Sequence, residues 1–313
     1  MQFRSISDLR RTILANLHRV PADVDVIVGV PRSGMLPASI VAHDRNLPMA
    51  DLENFAQGRL LATGSTRKVA QTSKPFEAMK HALIIDDSIS SGGSLTKARA
   101  VLQSLSGTMK LTFAAVYGVQ PVHDAAEIIF ETVDHPRAFE WNVMHHWVLS
   151  QACLDIDGVL CHDPKPHEND DGDAYMNFLR TARPLSIPSV PVNTLVTSRL
   201  ERYRPETEEW LRAQGVQYER LIMLDVASAE ERRRLGLHGK FKGKFYRESD
   251  HSLFIESELH QAETIAEMSG KPVLSIEGMI MCYPGIPTLA IIKAKARRRL
   301  TRFMIRGGRV LAG

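Results

Sequence analysis

The stretch ALIIDDSISSGGSL, residues 82–95, decides the fold expected for the first half of the chain. It begins with a short, continuous apolar run, which is typical of a strand buried on both faces of a parallel sheet. Two adjacent carboxylates follow, then a run of serines and glycines, and a helix is predicted over residues 95–105. Because open α/β sheets bind ligands at the carboxyl ends of their strands, this strand end is the predicted binding site.

The loop after the two carboxylates has the composition of a phosphate cradle. Glycines let the backbone approach a ligand closely, while backbone N–H groups, hydroxyls and a helix amino terminus supply donors. The residues that would supply these groups are Ser88, Ser90, Ser91, Gly92, Gly93 and Ser94. The vicinal carboxylates of Asp86 and Asp87 suit the two hydroxyls of a ribose whose 5-phosphate lies in the loop. No lysine follows the glycines, which argues against a nucleoside-triphosphate loop.

These residues resemble the phosphoribosyl-pyrophosphate (PRPP) motif of the type I phosphoribosyltransferases. The upstream segment GVPRSGMLPA, residues 29–38, resembles the pyrophosphate loop of the same family. The resemblance implies that Asp86 and Asp87 hold the ribose hydroxyls and that residues 88–94 hold the 5-phosphate. It also implies a set of residues that face the pyrophosphate together with Mg²⁺, namely Arg32, Ser33 and Gly34.

Residues 56–75 correspond in position to the mobile loop that closes over PRPP in this family. Arg67 and Lys68 lie there among Gly, Ser and Thr residues and are candidate PRPP ligands. Closure of such a loop excludes water from an oxocarbenium-like centre. The alternatives are that Arg67 and Lys68 are simply solvated and that Arg32 forms a surface ion pair.

The second half of the chain restarts the same pattern near residue 151. Apolar runs with polar carboxyl ends alternate with helical stretches such as residues 205–214. The runs are ACLDIDGVL, NTLVTS, RLIMLDV, SLFIES and KPVLSIE. Alternating strands and helices predict an α/β domain in each half. The predicted fold is therefore α/β, with two Rossmann-like domains at residues 1–149 and 150–313.

The second domain resembles the haloacid dehalogenase-like (HAD) phosphatases. Its first strand ends in DIDG followed by an apolar residue, LVTSR follows the next strand, and KGKFY and SLFIESE come later in that family's order. Here a serine follows the acid of SLFIESE, where the family more often has a second acid. The alternatives are a calcium-like or capping carboxylate cluster and an inactive domain.

The HAD resemblance implies a role for each motif residue. A carboxylate that attacks a phosphate dianion needs nearby cations to cancel the repulsion. The implied roles are nucleophile for Asp155, general acid and then base for Asp157, phosphoryl binding for Thr197, and charge neutralisation for Lys242, with Lys244 a less favoured substitute. Mg²⁺ would be held by Asp155, the backbone carbonyl of Asp157, and Glu256. About 40 residues separate the first two motifs, which predicts little or no cap domain.

Together the two halves predict a bifunctional enzyme that resembles bacterial ribofuranosylation enzymes of polysaccharide biosynthesis. The first domain would transfer 5-phosphoribosyl from PRPP to a glycan or lipid-linked glycan, and the second would remove the 5-phosphate to leave ribofuranose. One alternative is nucleobase salvage, with a nucleotide phosphatase. Another is a regulator that senses PRPP. Residues 139–146, FEWNVMHH, are either a hood over the acceptor or a packed junction.

Composition favours a soluble protein: hydrophobic residues are 44% and charged residues 24% of the 313. Three scattered cysteines and no signal peptide favour a cytoplasmic location. The net charge of +3 arises in a basic tail that runs from Lys293 to Arg309. This tail suggests a peripheral contact with the inner membrane face or an anionic polymer, against the alternative of a solvated terminal helix. Nucleic acid is not an expected partner.

Overall fold

The computed structural model describes residues 1–62, 74–169 and 172–288. Internal contacts divide the chain into two compact units, Gln2–Asn142 and Val143–Gly313, with Met1 assigned to the second. The domain boundary predicted between residues 149 and 150 stays a prediction. Each unit is described here by itself.

The first unit is a parallel α/β sheet with a small accessory ladder. Its described strands are β1 (Gln2–Arg4), β2 (Val26–Gly29), β3 (Met49–Asp51), β4 (His81–Ile89), β5 (Lys110–Gly118), β6 (Ile128–Thr132) and β7 (Arg137–Phe139). Its described α-helices are α1 (Ile6–Asn16), α2 (Met35–Arg45), α3 (Leu52–Ala56) and α4 (Gly93–Val101), with short 3₁₀ turns at Leu17–Arg19, Phe76–Ala78 and Gln103–Leu105. Strands β3-β2-β4-β5-β6 form a five-stranded, all-parallel sheet, and β1 pairs with β7.

The apolar run of β4 is buried on both faces, as its sequence predicts. Ala82 and Ile84 pack into one core cluster, and Leu83 and Ile85 pack into another. Successive strand side chains point to opposite faces, so one continuous run serves two layers. Each of the fully buried leucine and isoleucine side chains contributes about 1.5–3 kcal/mol. The sheet is therefore held from both sides, and its strand ends are fixed relative to each other.

The strand β4 is longer than the apolar run that starts it. It continues through the two carboxylates to Ile89, so Asp86 and Asp87 lie inside the strand and the loop shrinks to residues 90–92. Gly92 has a φ of 80°, and α4 begins at Gly93, two residues before the predicted start. Pairing with the long neighbouring strand β5 extends through Ile89, which explains the extra residues.

The second unit is a six-stranded sheet in the order β10-β9-β8-β11-β12-β13. Its described strands are β8 (Ala152–Leu154), β9 (Val192–Leu200), β10 (Tyr218–Leu224), β11 (Leu253–Glu256), β12 (Val273–Ser275) and β13 (Ile280–Cys282). Its described α-helices are α5 (Asp173–Thr181), α6 (Arg204–Ala213), α7 (Ala229–Leu235), α8 (Leu237–Glu248) and α9 (Leu259–Ser269), with 3₁₀ turns at Val143–His145, Trp147–Gln151, Pro166–Glu168 and Glu201–Tyr203. All neighbouring pairs are parallel except β12 with β13.

The register of the three central strands positions the second site. Leu154 of β8 lies beside Ile255 of β11 and Leu195 of β9. Asp155 therefore leaves the sheet next to Glu256, and its N–H donates to the carbonyl of Ile255 at 3.0 Å. Among the described residues, no helix is long and apolar enough to cross a membrane.

Candidate active sites

The first candidate site is the buried carboxylate pair on β4. The backbone N–H of Asp87 donates to Asp86 Oδ1 at 2.8 Å, and the indole Nε1 of Trp141 donates to Asp87 Oδ2 at 2.7 Å. Burial, followed by the charge of Asp87, raises the pKa of Asp86 to about 8. Burial also raises the pKa of Asp87, although the indole hydrogen bond opposes this. Within the described residues, neither carboxylate has a cationic side chain within 4.0 Å.

The loop that follows is arranged as an anion cradle. Ser90 and Ser91 are exposed, and Ser88 is half-buried at the end of the strand. Position 92 has little room for a side chain, because a Cβ there would lie 2.4 Å from His123 Cε1. Gly93 opens α4, and Ser94 lies exposed in its first turn. The loop thus exposes hydroxyls and points the amino-terminal N–H groups of a helix at one place.

The predicted pyrophosphate loop lies against the same strand end. The N–H of Val30 donates to the carbonyl of Ile85 at 3.1 Å, directly before the carboxylate pair. A Cβ on Gly34 would lie 2.4 Å from the Val30 carbonyl oxygen and 2.8 Å from that of Ile85. The loop contains a cis peptide between Pro31 and Arg32; Arg32 is exposed and Ser33 half-buried. The structure therefore brings together the two segments that the sequence paired, while Arg67 and Lys68 lie outside the described residues.

Two residues next to this site were not predicted as ligands. Trp141, which contacts Asp87, also stacks on Phe139 with ring centroids 4.9 Å apart, and Phe139 stacks on Tyr117 at 5.3 Å. Arg137 is buried and donates to the carbonyl of Ile89 at 2.8 Å, where the phosphate loop begins. Burial lowers the pKa of Arg137, and the charge of Asp87 opposes that shift. The interpretation of residues 139–146 as a hood over the acceptor is the one feature of the sequence that points to Trp141 as part of the site. No feature of the sequence points to Arg137.

The second candidate site is an ion triad at the ends of β8 and β11. Lys242 Nζ, on α8, donates to Asp155 Oδ2 at 2.6 Å and to Glu256 Oε2 at 2.8 Å. All three side chains are buried. Burial raises the pKa of Asp155 well above its usual value; Lys242 opposes this and Glu256 adds to it. Burial alone would lower the pKa of Lys242, but its two carboxylate partners outweigh it and raise that pKa. Lys244, by contrast, is exposed.

Asp157 faces a different cation from Asp155. Arg199 Nη2 donates to Asp157 Oδ1 at 2.6 Å, and Arg199 Nε donates to Oδ2 at 3.0 Å. Burial alone would raise the pKa of Asp157, but Arg199 outweighs it and holds that pKa below its usual value. Thr197 is buried, and its hydroxyl accepts a hydrogen bond from the N–H of Arg199 at 3.2 Å. Sequence reasoning missed Arg199, although it stands two residues after Thr197.

The donor set of the second site fits a hard divalent cation. Asp155 and Glu256 offer two carboxyl groups to the single ammonium group of Lys242, and carboxylate oxygens are the ligands that Mg²⁺ prefers. Among the described residues, no group of three or more His, Cys, Asp or Glu side chains is placed to hold a metal ion. The third Mg²⁺ ligand that the HAD resemblance implies is the backbone carbonyl of Asp157, and the Asp157 side chain is bound to Arg199.

The comparisons with known proteins bear on the first unit. Residues 4–127 match the family model "Phosphoribosyl transferase domain". A purine phosphoribosyltransferase from Pyrococcus horikoshii Ot3 is 19% identical, with a TM-score of 0.32 over 45% of this chain and 92% of that one. The Helicobacter pylori xanthine-guanine-hypoxanthine phosphoribosyltransferase is 17% identical, with a TM-score of 0.34 over 45% of this chain and 93% of that one. The Leishmania donovani UMP synthase is 15% identical, with a TM-score of 0.28 over 44% of this chain and 28% of that one. No curated protein matches the chain.

The chain is thus a mixed α/β protein with parallel sheets. Residues 4–127 match the phosphoribosyl transferase domain model, which supports the type I phosphoribosyltransferase domain expected from the PRPP motif. The match supports a phosphoribosyltransferase activity that uses PRPP, and Mg²⁺ is the metal that enzymes of this family typically use. The particular residues assigned to PRPP and to the second site stay predictions.

Proposed function

We propose that the protein is a bifunctional enzyme that transfers a 5-phosphoribosyl group and then removes its phosphate. The observation that carries the second step is the position of Lys242, buried between Asp155 and Glu256 at the carboxyl ends of two adjacent strands. A buried lysine with two carboxylates has the charge arrangement needed to receive a phosphate dianion beside a carboxylate nucleophile. This arrangement is the basis for treating the second unit as a HAD-like phosphatase.

In the first step, a hydroxyl oxygen of the acceptor attacks C1 of the PRPP ribose, the C1–O bond to pyrophosphate breaks, and the hydroxyl proton leaves with the pyrophosphate. Asp86 and Asp87 accept hydrogen bonds from the two ribose hydroxyls, and residues 88–94 receive the 5-phosphate. Arg32, Ser33 and Gly34 face the departing pyrophosphate. Among the described residues, the two buried carboxyl groups receive one side-chain hydrogen bond, from the indole of Trp141. They therefore have unused acceptor capacity for hydroxyls and for the Mg²⁺ that accompanies PRPP.

In the second step, an oxygen of Asp155 attacks the 5-phosphorus, forms an aspartyl-phosphate and releases the ribose 5-oxygen. Asp157 donates a proton to that oxygen and afterwards takes a proton from the water that hydrolyses the aspartyl-phosphate. Thr197 and Lys242 stabilise the phosphoryl oxygens, and Mg²⁺, when bound, supplies further positive charge there. The ion pair with Arg199 favours the ionised form of Asp157, which suits its role as base and opposes its role as acid.

The proposed acceptor is a glycan or lipid-linked glycan. Removing the 5-phosphate leaves a plain ribofuranosyl unit and makes the overall sequence irreversible, which explains why the two activities would share one chain. The basic tail from Lys293 to Arg309, which lies outside the described residues, would bring the enzyme to the inner membrane face.

A nucleobase acceptor is the second candidate, and one observation favours it. The stacked rings of Tyr117, Phe139 and Trp141 end beside Asp87, where the ribose would lie. A planar base stacks on such a surface with about 1–3 kcal/mol. In that case the phosphatase would convert a nucleotide to a nucleoside. A role limited to sensing PRPP is less well supported, because it gives no function to the ion triad of Lys242, Asp155 and Glu256.

The test is to incubate the protein with PRPP, Mg²⁺ and panels of sugars, polyprenyl-linked glycans, purines and pyrimidines. Release of pyrophosphate identifies the acceptor class, and mass spectrometry of the acceptor identifies the product. With the native protein we expect a gain of ribose, and with Asp155→Asn a gain of phosphoribose. Asp225→Asn, which alters an exposed carboxylate just after β10, is the matched control and should behave as the native protein. Pyrophosphate release with bases alone would replace the glycan assignment, and ribose gain with Asp155→Asn would exclude Asp155 as nucleophile.

A further inference from the structure

Arg232 is a buried cation of the second unit that the proposed chemistry does not use. It lies on α7, and its residue is 7% exposed. Its Nη1 donates to the backbone carbonyl of Ser198 at 2.7 Å. Its Nε is buried and has no hydrogen-bond partner among the described residues.

The charge of Arg232 has no direct counter-ion among the described residues, where no carboxylate oxygen lies within 4.0 Å of it. The other two buried cations of the second unit are both paired: Arg199 with Asp157, and Lys242 with Asp155 and Glu256. A guanidinium removed from water without an anion is costly, so a native protein seldom leaves one unpaired without a purpose. With Nη1 engaged, no described residue accepts a hydrogen bond from the edge formed by Nε and Nη2. This fork matches two oxygens of an anionic group.

Ser198, whose backbone carbonyl binds Arg232, carries a second unpartnered polar group. Its hydroxyl is buried without a partner among the described residues, and its residue is 8% exposed. It follows Thr197 directly in β9, and successive strand side chains point to opposite faces. The Ser198 hydroxyl is therefore turned away from the group that Thr197 is assigned to bind.

The surroundings link Arg232 to the candidate active site. Burial lowers the pKa of His238, and the positive charges of Arg232 and Lys242 lower it further. Burial raises the pKa of Tyr175; Asp157 adds to the shift, while Arg199 and Arg232 oppose it. Arg232 therefore lies near enough to influence the pKa of His238, which Lys242 also lowers, and the pKa of Tyr175, which Asp157 also raises.

We propose that Arg232 and Ser198 form a subsite for a second phosphate group of the substrate, separate from the phosphoryl group that Asp155 attacks. Three donors, Arg232 Nε and Nη2 and the Ser198 hydroxyl, suit the three outer oxygens of a phosphate better than the two of a carboxylate. The inference rests on the proposed phosphatase function and extends it: the preferred substrate is a phosphorylated ribose whose C1 substituent also carries a phosphate.

The probe is ribose 1,5-bisphosphate compared with ribose 5-phosphate, with release of the 5-phosphate measured for each. We expect the native kcat/KM to favour the bisphosphate by about 10- to 100-fold, as charge-assisted hydrogen bonds of this kind provide. Arg232→Gln should bring this ratio close to one, and Ser198→Ala should lower it by less. Arg234→Gln, on the same helix but 70% exposed, is the control and should keep the native ratio. A native ratio near one, or equal losses on both substrates in Arg232→Gln and Ser198→Ala, would overturn the subsite.

Binding separates failure of the subsite from failure of the phosphatase proposal. If the native protein releases phosphate from neither probe, the phosphatase proposal fails. Calorimetric binding of ribose 1,5-bisphosphate then tests the subsite, in an Asp86→Asn background that weakens the first unit's own site. A loss of at least about tenfold in Arg232→Gln, but not in Arg234→Gln, supports the subsite. Equal affinities in the two variants reject it.

Discussion

The two units place carboxylates at the same point of similar sheets but treat their charge in opposite ways. Asp86 and Asp87 are buried together and, within the described residues, receive one side-chain hydrogen bond, from the neutral indole of Trp141. Asp155 and Glu256 are buried around Lys242, and Asp157 is paired with Arg199. The first site therefore offers two carboxyl groups with no cationic side chain beside them among the described residues, whereas the second site holds its own cations. A polyol with its metal suits the first arrangement, and a phosphate dianion suits the second.

The largest effect that could break this comparison is expected from Lys242→Met. Loss of the amine leaves Asp155 and Glu256 buried without a cation, which destabilises such sites by about 3–5 kcal/mol. Phosphate release should also fall to background. Urea denaturation and a phosphate assay measure the two effects, with exposed Lys244→Met as the control that should change neither. Equal midpoints for the two variants would mean that the triad is not a buried ion cluster in solution.

A smaller, pH-dependent effect is expected from Asp86→Asn. The pKa of Asp86 is raised from 3.8 to about 8. Between pH 3.8 and about pH 8 the folded protein therefore keeps a proton on Asp86 that the unfolded chain has lost. Stability should therefore fall as pH rises from about 4 to about 8, and Asp86→Asn should flatten this dependence and stabilise the protein at pH 9. Its PRPP affinity should drop by about 10- to 100-fold. Melting temperature against pH and PRPP titration measure both, with the exposed Asp134→Asn as the control. A native pH slope retained in Asp86→Asn would show that Asp86 is ionised in the fold.

The smallest effect is expected from Trp141→Phe, which sharpens the account of the first site. The change keeps an aromatic ring on Phe139 but removes the 2.7 Å hydrogen bond to Asp87, at a cost of about 1 kcal/mol. The pKa of Asp87 should rise further, because this hydrogen bond lowers it. Trp147→Phe, at a residue 50% exposed, should leave both stability and PRPP binding unchanged. Identical denaturation midpoints for the two variants would show that the indole hydrogen bond does not contribute.

Much of each sheet could be predicted from local sequence. The runs at residues 82–85 and 152–154 are strands, as expected, because continuous apolar segments can be buried only inside a sheet covered on both faces. The helix predicted over residues 205–214 is found at Arg204–Ala213. The exact end of β4 could not be predicted, since pairing with β5 keeps Asp86 and Asp87 in the strand despite their low strand preference.

Of the two candidate sites, only the residues that belong to sequence motifs were predicted. Asp155, Lys242 and Glu256 were named from their order along the chain, and the structure brings their side chains together. Arg199 and Trp141, which bind Asp157 and Asp87, were not named as partners. An arginine or tryptophan has no local pattern that distinguishes a partner of a buried acid from a solvated or packed residue.

The sequence by itself determined the parallel α/β architecture, the phosphoribosyltransferase domain and the acids that directly follow the apolar strand runs. These follow from features a few residues long: apolar runs, glycines at tight turns, and carboxylates next to them. Only the tertiary structure decided which charges are balanced and by what, leaving Asp86 and Asp87 without a cation and Arg232 without an anion among the described residues. The physical reason is that charge compensation depends on distances of a few ångströms between residues far apart in the chain, and packing alone sets those distances.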